Sequence, residues 1–182
     1  MPMKKLERIT VAGFGGQGVM MLGQILAHAG NDKGYNALWH PSYGPETRGG
    51  TANCSVILSD APINSPVFSK ADTLIIMNRP SLEKFKNKLR EDGILLYNSS
   101  LIDEFAQVNA HPVPANDIAL KLGNPRVANM AMLGAYLALK SLFTVEEVFE
   151  VLKSFLGEGK KDLFDINHRA LLAGKNLFEV ER

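Results

Sequence analysis

Two stretches of the chain carry residues whose types and spacing could do chemistry. The first is Gly13-Phe14-Gly15-Gly16-Gln17-Gly18, where a short apolar run ends in four glycines within six residues. It fits the pattern G-x-G-x-x-G at Gly13, Gly15 and Gly18, with Gly16 in addition. Glycine permits positive φ and lets another group approach the backbone closely. A helix starting just beyond such a turn aims its unpaired N–H groups and the positive end of its dipole into the space above the strand, a seat for a phosphate or carboxylate. The second stretch is Pro41-Ser42-Tyr43-Gly44-Pro45-Glu46-Thr47-Arg48-Gly49-Gly50, a loop by composition that carries Tyr43, Glu46 and Arg48 between its turn residues. Arg48 precedes two glycines, so little bulk screens it, and its guanidinium can grip a carboxylate or phosphate through two hydrogen bonds. Glu46 either orients that guanidinium or bonds loop amides, and an Arg–Glu pair that merely holds the loop is the alternative.

The glycines invite a dinucleotide reading, but one part of that fingerprint is missing. An acidic residue usually follows about 20 residues on, at the end of the second strand, to hold the ribose. Here that segment reads Tyr35-Asn36-Ala37-Leu38-Trp39-His40 and ends in Pro41, while Asp32 precedes it at the wrong end. An ordinary NAD site is disfavoured. Glycines serving a tight turn with close helix–sheet packing, or an anion or partner site of another kind, both stay open.

Other chemistry is thin. His28, His40, His111 and His168 show no metal-ligand spacing, and only His40 shares an edge with the glycine turn. No G-x-S-x-G elbow occurs, and no P-loop lysine follows the glycines. The one cysteine, Cys54, rules out a disulfide within the chain and a four-thiolate zinc or iron–sulfur site; inside a strand it reads as an inert buried thiol. A net charge of +1 leaves no field to steer the chain to nucleic acid or an anionic membrane. No apolar run approaches the roughly 20 residues needed to cross a bilayer, and Met-Pro-Met-Lys-Lys is no secretory start, so a cytoplasmic protein is expected. A ligand-type edge without a complete catalytic set suggests one part of something larger.

The elements that must position these residues follow from periodicity. The 182 residues suit one domain. Residues 6–12 form the first strand and 16–29 the first helix, with Val19, Leu22, Leu26 and Ala29 on one stripe and Gly30 as its stop. Strands are expected at 35–40, 51–58, 73–77, 94–97 and 107–113, with a short edge strand at 64–68. If the first two strands are parallel neighbours, the glycine turn and the Arg48 loop emerge at one carboxyl edge. The third strand follows the second without a helix, which points to a hairpin and a mixed sheet. Asn78 to Ser81 opens a helix with Leu82, Phe85 and Leu89 on one face, and Asn116-Asp117 caps a short helix through Leu122. Asn124 and Pro125 start a helix to Lys140 that is apolar nearly all round, and Thr144 to Glu147 is a capping box. A last helix covers 161–178. The expected fold is a three-layer α/β/α domain with a mostly parallel, mixed sheet, a Rossmann-like first strand–turn–helix and a helical C-terminal region.

The glycine run followed by Tyr43-Gly44-Pro45-Glu46-Thr47-Arg48-Gly49-Gly50-Thr51 resembles the gamma subunit or gamma domain of 2-oxoacid:ferredoxin oxidoreductases, over the whole chain and including Asn124-Pro125-Arg126 and Asn129-Met130. The loop looks most like the 2-oxoglutarate branch; pyruvate, branched-chain and indolepyruvate relatives carry looser versions. The resemblance implies an oxidoreductase complex that decarboxylates a 2-oxoacid and yields an acyl-CoA. It places thiamine diphosphate, magnesium and the iron–sulfur clusters in alpha, beta or delta partner subunits, with ferredoxin as electron acceptor and coenzyme A as co-substrate. This chain would hold no such cofactor alone and carry no catalytic residue. Gly13, Gly15, Gly16, Gln17, Gly18, Tyr43, Glu46, Arg48, Gly49 and Gly50 would face coenzyme A or the alpha subunit. The competing readings are a free-standing Rossmann-like NAD(P)-binding enzyme or sensor, and an interaction module with no small ligand.

Overall fold

A computed structural model describes residues 5–43, 51–103 and 107–179. Six strands, β1 (Leu6–Phe14), β2 (Asn36–Tyr43), β3 (Thr51–Ser59), β4 (Ala71–Ile76), β5 (Leu89–Asn98) and β6 (Ala110–Val113), form one sheet in the order β2-β3-β1-β4-β5-β6. β3 is antiparallel to both of its neighbours; β1, β4, β5 and β6 are parallel. The expected hairpin is therefore present and the sheet is mixed. β1 and β2 run the same way but are not neighbours, because β3 folds back between them.

The helices are α1 (Val19–Asp32), α2 (Arg79–Phe85), α3 (Ala115–Leu122), α4 (Ala128–Lys140), α5 (Val145–Leu156) and α6 (Phe164–Glu179). Alternation along the strands sends Ile9, Val11, Cys54, Val56, Ile75 and Leu96 to one face, where they join buried residues of α1, α3, α4, α5 and α6 in the larger core. Ala12, Leu74, Ile76 and Leu95 face the other way and meet Leu82 and Phe85 of α2. The α/β/α layering holds, but it is lopsided: among the described residues the second helical layer is one seven-residue helix.

α4 is the central helix of the thick layer, with every residue from Ala128 to Leu137 buried. It crosses α6 at a pair of glycines. A Cβ on Gly134 would land on the Leu171 carbonyl oxygen, and one on Gly174 on that of Ala131, so the two backbones touch where a side chain would hold them apart. The caps follow the sequence: the Asn78 side chain accepts from the Ser81 N–H at 2.9 Å, and Thr144 and Glu147 close a reciprocal capping box.

Several boundaries differ from expectation, each for a local reason. α1 begins at Val19 because Gly16 and Gly18 hold φ of +87° and +75°. It runs past Gly30, which is buried against Leu58, and Gly34 at φ +89° makes the turn. β2 continues through Pro41 to Tyr43; as the edge strand it tolerates a residue with no N–H. Residues 64–68 form no strand and run irregularly through Pro66. α2 stops at Phe85, and Leu89 opens β5, which starts before the expected residue 94 and takes in Gly93. α3 starts at Ala115 with no side-chain cap, so Asn116 is not its cap; its amide is used elsewhere. A 3-10 turn precedes α6 where helix was expected from residue 161.

Candidate functional site

β1, β2, β4, β5 and β6 all point their carboxyl ends at one rim. Phe14 opposes Thr51 and Tyr43 opposes Ala52, so the end of β1, where the glycine turn begins, lies at the same edge as the end of β2 and the start of β3. α1, after β1, packs on one face and α2, after β4, on the other. The rim between β1 and β4 is thus a topological switch point, the crevice in which open α/β sheets bind ligands.

The turn itself divides into packed and open positions. A Cβ on Gly13 would fall 2.7 Å from the Gln17 Oε1 and 2.9 Å from the Met77 Cβ, so Gly13 serves close packing. Gly18 caps α1 and lies against the buried Asn129 of α4, whose Nδ2 donates to the Gly18 carbonyl at 3.2 Å. A side chain on Gly15 or Gly16 would meet nothing within 4 Å, so the outer side of the turn is open. No side chain caps the start of α1, and no acid stands in its first turn. Its first N–H groups and the positive end of its dipole therefore meet the rim without a counter-charge from the helix itself.

Gln17 braces the turn. Its Oε1 accepts from the Phe14 N–H at 2.6 Å and from the Asn78 Nδ2 at 3.0 Å. Asn98, fully buried at the end of β5, donates through Nδ2 to the Met77 carbonyl at 3.2 Å and to the Asn116 Oδ1 at 2.8 Å. A line of amides thus ties the rim from β1 across β4 and β5 to α3. From sequence alone Asn78 has only a capping place, and Asn98 has no assigned role. The signal was present as an asparagine directly after each apolar strand, Met77-Asn78 and Tyr97-Asn98.

Tyr43, at the end of β2, is 73% exposed. Glu46, Arg48, Gly49 and Gly50 lie outside the described residues. His40 stands exposed on β2, on the sheet face away from α1. His28 packs edge-on against Phe155, and His168 packs against Phe149. Cys54 is buried, its thiol donating to the Val19 carbonyl at 3.4 Å, and burial pushes its pKa up to about 11. Among the described residues no three His, Cys, Asp or Glu side chains converge as a metal site, and no helix is long and apolar enough to cross a membrane. The rim presents unpaired backbone amides and open glycines. Among the described residues, neither it nor Cys54 offers an activated nucleophile.

The chain matches the family described as pyruvate ferredoxin/flavodoxin oxidoreductase over residues 8–177. It belongs to that family. Among relatives in the family, the KorC subunit of 2-oxoglutarate synthase from Methanocaldococcus jannaschii is 32% identical, over 98% of this chain and 96% of its own length. The VorA subunit of ketoisovalerate oxidoreductase from Methanothermobacter marburgensis is 43% identical over 92% of this chain, yet that match covers 35% of VorA, so the chain spans about a third of that relative. The gamma subunit of a keto/oxoacid ferredoxin oxidoreductase from Geobacter sulfurreducens has the same fold at a TM-score of 0.81, with 28% identity over 94% of this chain and 95% of its own. A 2-oxoglutarate:ferredoxin oxidoreductase from Magnetococcus marinus, solved with 2-oxoglutarate, coenzyme A and succinyl-CoA bound, superposes at 0.87 with 25% identity, over 97% of this chain and 32% of that one.

Proposed function

We propose that this chain is the gamma component of a cytoplasmic 2-oxoacid:ferredoxin oxidoreductase, in which the complex decarboxylates a 2-oxoacid oxidatively and releases an acyl-CoA. The observation that carries the reading is the likeness to KorC along almost the full length of both chains. The donor set fits this division of labour. One buried thiol at a raised pKa cannot ligate a cluster. Thiamine diphosphate with magnesium and the iron–sulfur clusters belong to alpha, beta or delta partner subunits, and ferredoxin takes the electrons from the assembled enzyme.

This chain's part is the carboxyl rim. Gly15 and Gly16 leave the turn open, the α1 N-terminus offers amide donors, and Gly13, Gln17 and Gly18 keep the turn in shape. With Tyr43, Glu46, Arg48, Gly49 and Gly50 from the adjoining segment, this surface meets coenzyme A where the chain packs on the alpha subunit. Arg48→Ala in the assembled complex separates two roles. Loss of coenzyme A dependence with assembly intact marks a ligand contact, and loss of assembly marks an interface. Unaided turnover of a 2-oxoacid by the isolated chain would overturn the proposal, as would binding of NADH in place of any partner subunit.

The Tyr43 to Thr51 motif supports 2-oxoglutarate as the substrate of the complex. The higher identity to VorA supports a second reading, a branched-chain 2-oxoacid. Relative kcat/KM of the purified complex for the two acids decides between them.

A further inference from the structure

The second face of the sheet over β2, β3 and β1 carries an unusual set of side chains. Register places His40, Ser55 and Thr10 in one row across the three strands, and Ser42 and Asn53 in the next. These residues line one hollow of about 210 Å³, room for roughly seven waters. Asn53 is 8% exposed and Thr10 6%, yet neither side chain makes a hydrogen bond among the described residues; nor do His40, Ser42 and Ser55.

Neither ordinary kind of sheet face looks like this. A face that packs on a helix carries Val, Ile or Leu, as the opposite face of these strands does. A face open to solvent needs no recess. The Thr10 and Asn53 side chains, nearly buried yet open to the hollow, offer donors and acceptors that a bound polar group would satisfy. The charge around them selects its sign: Lys88 stands at the hollow with His40, and among the described residues no carboxylate lines it. Apart from Ser69, the remaining wall is apolar, with Pro66, Val67, Phe68, Ala71 and Phe85.

We infer that this hollow binds a short aliphatic carboxylate. Thr10, Ser55 and the Asn53 amide donate to the carboxylate oxygens, Lys88 supplies the counter-charge, and the hydrocarbon tail lies on Phe68 and Phe85. The inference stands apart from the oxidoreductase reading, because the test reads binding to this chain alone at Thr10, Asn53 and Ser55 and needs no turnover by a complex.

The test is a calorimetric titration of the full chain with isovalerate, paired with amide chemical-shift mapping. Saturable binding is expected, with shifts centred on Thr10, Asn53 and Ser55. Asn53→Leu and Thr10→Val should each weaken binding by about tenfold or more without lowering the melting temperature, since neither side chain has a partner to lose. Lys88→Ala, at an exposed position where the amine lies over the Phe85 ring, should weaken it several-fold. No saturation, shifts confined elsewhere, or unchanged affinity in Lys88→Ala would overturn the inference. Equal affinity for inorganic phosphate would overturn the aliphatic assignment. If the free chain ignores isovalerate while Asn53→Leu loses a partner subunit, a side chain of that subunit fills the hollow and the inference fails.

Discussion

The Asn78 Nδ2 donates to the Gln17 Oε1 at 3.0 Å, across the crevice where helices depart to opposite faces of the sheet. The same oxygen receives the Phe14 N–H at 2.6 Å, so one side-chain amide holds the turn closed and pins it to the end of β4. Gln17→Leu keeps the volume and removes the acceptor. Phe14 is partly exposed and can turn to water, so the loss is set mainly by the Asn78 amide. A destabilisation of about 1–2 kcal/mol is expected. For a chain of this size that lowers the melting temperature by roughly 2–4 °C per kcal/mol. Urea denaturation of Gln17→Leu and Gln17→Glu checks it; the glutamate keeps the acceptor and should recover most of the loss.

The glycines of the turn should separate by role. Gly18 holds φ of +75° and faces Asn129, so Gly18→Ala combines left-handed strain of about 1–2 kcal/mol with displacement of a buried amide. Gly15 has neither constraint, and Gly15→Ala should leave stability within about 0.5 kcal/mol. Its open side is also where a bulky residue would screen the rim. In an assembled complex Gly15→Val should raise KM for coenzyme A with the fold intact. Thermal melts and steady-state kinetics on the pair read the two effects separately. A Gly15→Val enzyme with unchanged KM would remove this side of the turn from the site.

Much of this arrangement was legible in the sequence. The strand–glycine–helix order, the hairpin, the capping box at Thr144 and the buried α4 all follow from local pattern, and local forces build them. What was not legible depended on partners distant in the chain. Gly30 reads as a helix stop by type, but Leu58 of β3 makes it a packing position. Leu89 fits the helical stripe of α2, yet β4 draws it into β5, where it pairs with Ala71. Residues 64–68 lack the strand partner that would have made them an edge. The amide line from Gln17 to Asn116 was invisible because its members lie on four separate stretches of the chain and meet only when the sheet forms.

Cys54 gives a direct readout of core integrity. Its thiol is fully buried beneath α1, with a pKa raised to about 11 chiefly by burial, so almost no thiolate exists near neutrality. Labelling by a thiol reagent at mildly alkaline pH should proceed only through opening of the α1–β3 contact. The labelling rate should rise with urea in parallel with unfolding and reach that of a free thiol when denatured. Fast labelling of the native chain would mean that α1 lifts from the sheet far more readily than this packing allows.

Glu7 sets a pH dependence of unusual sign. Its carboxylate lies at the amino end of the sheet, accepting from Thr73 Oγ1 at 2.5 Å and pairing with Lys140 Nζ at 3.2 Å, with the Tyr136 hydroxyl at 3.5 Å. Burial raises its pKa above the ordinary 4.5, and the Thr73 hydrogen bond and Lys140 charge only partly offset that. A folded carboxyl that holds its proton more tightly than the unfolded one contributes stability that is complete below 4.5. That contribution is lost as pH rises through the folded value. Glu147 behaves oppositely: its pKa is lowered by the Thr144 backbone hydrogen bond and by Lys33, so its contribution is lost as pH falls. Total stability therefore mixes both signs, and the difference between wild type and Glu7→Gln isolates the one group. The amide keeps an acceptor for Thr73, and Lys140 can turn its partly exposed amine to water. Wild type should lose stability relative to Glu7→Gln as pH rises from 4.5 toward neutrality, as measured by urea denaturation across that range. A difference that grows in favour of wild type would mean that the Lys140 pairing outweighs the burial of the charge.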